Sequence, residues 1–177
     1  MRQTMQSVSP MSNEGRNAYV VEHLKNAFLE LLAEKPISDI SISALVDKAG
    51  VGRASFYRNY ERKEDILKAH INDLFCEWIS EWQKNDGSPL SEQIRIMIAH
   101  FEKHCDFYRL LNDRGLTYLL KDSIMDICGP RPEYEKAQAY TTAFVAYTLY
   151  GWIEVWFQRG MQETADEMAE MFRAQGL

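Results

Sequence analysis

The chain has 177 residues, 46% of them hydrophobic and 26% charged, enough to bury a core as one compact domain plus a small module and too few for two full-size domains. No apolar run approaches the roughly 18–20 residues that span a bilayer, and the opening residues lack the apolar stretch of a secretory signal. Three scattered cysteines (Cys76, Cys105 and Cys128) make no disulfide framework, so the sequence reads as cytoplasmic and membrane-free.

The net charge of −6 is unevenly spread: residues 1–62 hold 8 basic and 7 acidic side chains, residues 63–177 hold 12 and 19. A near-neutral head on an acidic body suits a module that approaches phosphate while the body keeps away from it. Only 5 Pro and 9 Gly, with no alternating β-branched runs, predict an all-α chain.

Residues 1–15 are polar and aperiodic and read as a mobile tail. From Arg16 to Glu34, Val21, Leu24, Phe28, Leu31 and Leu32 recur at spacings of three and four, one buried helical face that Pro36 ends. Ser41 can cap a short helix that Gly50 closes. A second short helix follows over 53–60. The spacing predicts a long helix over 63–84 and a break at 85–87. Ser88 is expected as a cap with Pro89 at the first helical position, then a helix over 90–111. A shorter helix over 116–127, a long one from about 132 to 158, and a last one opened by the capping box Thr164–Glu167 complete the chain.

The two short helices at 41–50 and 53–60 have helix-turn-helix dimensions. In such a unit the N-terminal residues of the second helix meet base edges in the major groove. Here they are Gly52, Arg53, Ala54, Ser55 and Tyr57. Arg53 can bond two acceptors of a guanine. Small Gly52 and Ala54 permit close approach, and Ser55 and Tyr57 offer hydroxyls. Phe56 is expected to point inward. Lys63, beside the N–H groups that open the next helix, is placed to clamp a phosphate. A bare helical corner would have the same length, but turn, spacing and residue types agree together.

The run SISALVDKAGVGRASFYRNY over 41–60, followed by Lys63 and Leu67, resembles the N-terminal domain of TetR-type (TetR/AcrR) transcriptional regulators. The likeness covers about residues 17–70, and WFQRGM at 156–161 looks like the end of a dimerisation helix in one subset of that family. The resemblance implies an all-α homodimer with a three-helix DNA-binding head (16–62) and a helical regulatory and dimerisation body (63–177). It implies phosphate contacts at Ser41, Tyr57 and Lys63, and base-proximal positions at Gly52, Arg53 and Ala54. Gly52 stands where Ser or Thr usually caps the recognition helix, and Ala54 where Gly is frequent.

The resemblance further implies two C-terminal helices packed across a two-fold axis, here those at about 133–158 and from 164. Ala139, Ala143, Ala146 and Gly151 on the first would permit close approach, and its apolar residues run nearly all round. A ligand pocket is expected among the body helices, with Phe101, His104, Phe107, Tyr108, Tyr118, Tyr140, Phe144 and Trp152 as candidate lining; aromatics at helical spacing are more often plain core.

His100 and His104 share one face with Cys105 adjacent, but no third or fourth ligand is visible, so no metal or cofactor is expected. No nucleophile elbow, phosphate loop, dinucleotide fingerprint or zinc-protease motif is present, which argues against an enzyme. The expected function is a sequence-specific DNA-binding regulator, a repressor released from a palindromic double-stranded DNA operator by a small-molecule effector in the body. The alternative is control by a protein partner through that body.

Overall fold

The computed structural model describes residues 13–84 and 88–175. Of the tail expected over 1–15, residues 1–12 lie outside the described residues, as does the break at 85–87, whereas residues 13–15 already belong to the first helix. The described residues form α1 (Asn13–Glu34), a 3₁₀ turn (Ile37–Asp39), α2 (Ile42–Ala49), α3 (Arg53–Asn59), α4 (Glu64–Lys84), α5 (Leu90–Lys103), α6 (Cys105–Asp113), α7 (Tyr118–Cys128), α8 (Lys136–Gln158) and α9 (Ala165–Ala174), with no strand among them. They fall into two compact units that divide between Ile66 and Leu67.

In the first unit, Leu24, Phe28, Leu31 and Leu32 of α1 pack against Leu45 and Val46 of α2 and Phe56 of α3, all buried. The Ser41 side chain accepts from Ala44 N–H at 3.1 Å, satisfying one orphan donor of the first turn of α2. Gly50 ends α2 at φ 65°, a left-handed conformation that costs glycine little. Val51 N–H then bonds Val46 carbonyl at 3.1 Å, which tightens the turn into α3.

In the second unit, α5 packs extensively along α9, and α7 against α8. The core is strongly aromatic. Phe101 lies 4.3 Å from Tyr108, 6.2 Å from Phe75, 6.4 Å from Trp156 and 6.2 Å from Phe157 by ring centroids. The capping box at Thr164 and Glu167 forms in both directions and opens α9.

Three expectations change. The helix expected over 90–111 is two helices, broken at His104 (φ −114°, ψ 26°). No Pro or Gly announces this break; it accompanies Tyr108 folding back onto Phe101 and His100, so tertiary packing overrides local propensity. Pro89, not Ser88, is the N-cap of α5, and it has no side-chain cap bond. The helix expected from about 132 begins at Lys136, because Arg131–Tyr134 form a turn instead.

Candidate nucleic-acid interface

The short helix α3 has two unlike sides. Phe56 is fully buried and meets Tyr57 and Tyr60 edge-on and tilted, at 5.2 and 6.0 Å. Gly52, Arg53, Ala54 and Tyr57 are exposed, and Ser55 is half-buried. The buried side fixes the helix, so the exposed side is held out as a rigid unit. One turn apart, the Arg53 guanidinium lies 5.7 Å from the Tyr57 ring centroid and reaches its hydroxyl at 3.5 Å. That contact narrows the swing of a long, exposed side chain.

Gly52 is the N-cap of α3 and makes no side-chain cap bond. Its φ of −76° and ψ of 146° suit any residue, and a Cβ built there would meet nothing nearer than Ser55 Oγ at 4.0 Å. The protein's own packing therefore does not demand glycine here. The space left open is on the outer side, where a nucleic-acid backbone could come close.

Ser41 spends one oxygen lone pair on the α2 cap, and its O–H can still donate. Lys63 is placed differently from a freely projecting clamp. Its ammonium is half-buried and donates to the carbonyls of Ile37 and Ile40, the latter at 2.8 Å, tying the residue before α4 to the 3₁₀ turn. One of its three donors remains for a phosphate. Lys63→Ala is therefore expected to lower the stability of the head by about 1–3 kcal/mol, the cost of stranding carbonyls that had a charged partner. Urea unfolding followed at a head-specific probe checks this; unchanged stability would return Lys63 to a purely electrostatic role.

The body residues expected to line a pocket do not gather round one cavity. Phe101 and Tyr108 are fully buried in the aromatic core. Tyr118, Tyr140 and Phe144 are exposed, at 48, 72 and 56% of their surface. His104 and Phe107 are half-buried, and Phe107 meets His70 edge-on at 4.6 Å. Trp152 alone of the set borders a large cleft, about 660 Å³ between α8 and α9, shared with Gly151, Val155 and Met171. A second cleft of about 450 Å³ opens between α4, α7 and α8, lined by Trp78, Ile79, Trp82, Ile127, Cys128 and Val145. Burial pushes the His100 imidazole down to about 4, so it is neutral near pH 7. The Lys103 ammonium beside Glu77 holds that carboxyl below its ordinary value.

Residues 26–70 match the model of the bacterial regulatory proteins of the tetR family, and residues 90–174 match that of a transcriptional regulator C-terminal region. The chain belongs to the tetR family. It is 41% identical over 59 residues to an uncharacterised HTH-type transcriptional regulator, YxbF, of Bacillus subtilis (strain 168), a match covering 33% of this chain and 16% of that protein. Its fold is similar to that of Lin0861 from Listeria innocua, with a TM-score of 0.70 at 15% identity over 95% of this chain and 94% of the other. It is also similar to a TetR transcriptional regulator from Streptococcus agalactiae 2603V, with a TM-score of 0.60 at 18% identity over 92% and 96%.

As a TetR-family transcriptional regulator, the chain belongs to a family of DNA-binding proteins whose members are typically dimers. No helix among the described residues is long and apolar enough to cross a membrane. Two cations escape the sequence reading of the head. Arg16 and Arg58 line a groove of about 720 Å³ between α1 and α3, with Tyr19, Ser55 and Asn59. Arg58 stands inside α3 itself and could have been counted; Arg16 gives no signal, because its place beside α3 is set by how α1 packs.

Proposed function

We propose that this TetR-family regulator is a homodimeric repressor that binds a palindromic operator and leaves it when an effector occupies the body. The two-sided α3 carries the proposal: a buried Phe56 anchors a helix whose Arg53, Ala54 and Tyr57 are exposed together. Arg53 reads a guanine, Gly52 and Ala54 admit the backbone, and Ser41, Ser55, Tyr57 and the remaining donor of Lys63 hold phosphates. In a two-fold dimer the two recognition helices must enter successive major grooves about 34–36 Å apart, so a small change of spacing costs several contacts together.

The second copy is proposed to cover α8. Tyr140, Phe144, Tyr147, Gly151 and Val155 recur at spacings of four, three, four and four. That places them on one helix face, and the four side chains are each more than half exposed. Exposed Met171 of α9 borders the α8/α9 cleft together with Gly151 and Val155. The family's habit of dimerising and the continuity of this apolar face agree.

The effector is proposed to be an apolar or aromatic small molecule in the α4/α7/α8 cleft. Its volume and its Trp78 and Trp82 walls fall within the range of small-molecule sites. One observation favours control by a protein partner instead: Phe101 and Tyr108 fill the interior, and the clefts named above open to solvent.

Selection of bound duplexes from a random pool tests the reading, followed by release with candidate effectors. Arg53→Ala is expected to cost about 1–3 kcal/mol on the selected operator and to relax preference at one base pair in each half-site. Equal weakening on all sequences would make Arg53 a phosphate contact, and a pool with no enriched sequence would overturn the proposal.

A further inference from the structure

Glu77 of α4, His100 in the last turn of α5 and His104 at the α5–α6 junction each offer one ligand atom, and these atoms all lie within 4.8 Å of one another. His104 Nε2 is buried without a hydrogen bond and stands 3.5 Å from Glu77 Oε2. That distance is longer than an ordinary N–H···O bond, so the nitrogen remains available as a donor atom to an ion. His100 is held in place by the Tyr108 hydroxyl at 3.1 Å and by edge contacts with Phe75 and Phe101. The two imidazoles are 4.9 Å apart by ring centroid.

We propose that Glu77, His100 and His104 form a binding site for a first-row divalent transition metal, with zinc the best-matched ion. Two imidazoles and one carboxylate are a borderline donor set; magnesium and calcium prefer all-oxygen shells. In a tetrahedral zinc shell, donor atoms at about 2.0–2.1 Å from the ion stand about 3.3 Å apart. The His104–Glu77 pair is already near that separation. Drawing in His100 requires only a modest closing movement, which Glu77, an exposed side chain, can supply.

The ion also has a way in. A cleft of about 260 Å³ between α4 and α5 is lined by Glu77, Glu81, His100 and Lys103. The fourth position can be filled from that cleft by water. The competitor is Lys103, whose ammonium donates to Glu77 Oε2 at 3.0 Å. That pair is largely exposed and worth little, so an incoming dication displaces it readily. Bound metal would tie α4 to the α5–α6 junction, beside the ring contacts of Phe75 with His100 and Phe101.

The test uses the purified full chain stripped with chelator and titrated with Co²⁺, then with competing Zn²⁺. Expected are one metal per chain, ligand-field bands of nitrogen and oxygen ligation without thiolate charge transfer, and a higher Tm in zinc. Glu77→Gln and His104→Asn, both outside the hydrophobic core, should each weaken zinc affinity by about tenfold or more at unchanged helicity, whereas His23→Gln should not. No binding up to about 100 µM metal, thiolate charge transfer from Cys105, or wild-type affinity in both variants would overturn the site.

Discussion

Phe144→Glu combined with Val155→Glu is expected to turn the proposed dimer into a folded monomer and to lower operator affinity by about 10²–10⁴-fold. The size follows from losing intramolecular delivery of the second head, with no contact between α3 and DNA touched. Both side chains are more than half exposed in the single chain, at 56 and 53%, so the charges enter water in the monomer and a desolvated apolar face only in the dimer. Sedimentation gives the assembly state, circular dichroism the fold, and binding to full and half operators the affinity. A double variant that remains dimeric would place the interface elsewhere, and a monomer with undiminished operator affinity would remove the dimer from the proposed mechanism.

Phe56→Ala is expected to cost about 3–5 kcal/mol, the range for emptying a large aromatic site in a packed core. Phe56 has no exposed surface, and its ring is the hydrophobic anchor of a helix only seven residues long. A helix of that length does not persist in water without tertiary support. The loss should therefore appear as local melting of α3 and abolished DNA binding, while the body, a separate compact unit, keeps its own transition. Hydrogen exchange of the α3 amides distinguishes this from global collapse. Full α3 protection in the variant would mean that the turn and Tyr60 suffice to hold it.

The head was legible because its signals are local. Ser41 caps within three residues, Gly50 supplies its own left-handed turn, and the inward side of Phe56 follows from spacing on one helix. Lys63 was legible only as a charge. Its acceptors, Ile37 and Ile40, lie 26 and 23 residues back, and no pattern in sequence names a carbonyl as a partner. The body was legible as helices but not as a site. Phe101, Tyr108, Tyr140 and Phe144 are all aromatics at helical spacing, yet two are core and two are exposed, because burial depends on which helix packs where. The pair His100 and His104 was visible, but Glu77 lies on another helix, so the third ligand appears only once α4 and α5 are placed together.

The division of labour within α3 has a consequence for how such a regulator could be redirected to new promoters. Phe56 keeps the helix folded, whereas position 52 has an ordinary backbone and unfilled space outside it, and positions 53, 54 and 57 are exposed to solvent. Under the proposed reading, base preference can then be rewritten at positions 52 to 54 with little expected loss of thermal tolerance. Within such a lineage, operators would diversify faster than scaffolds.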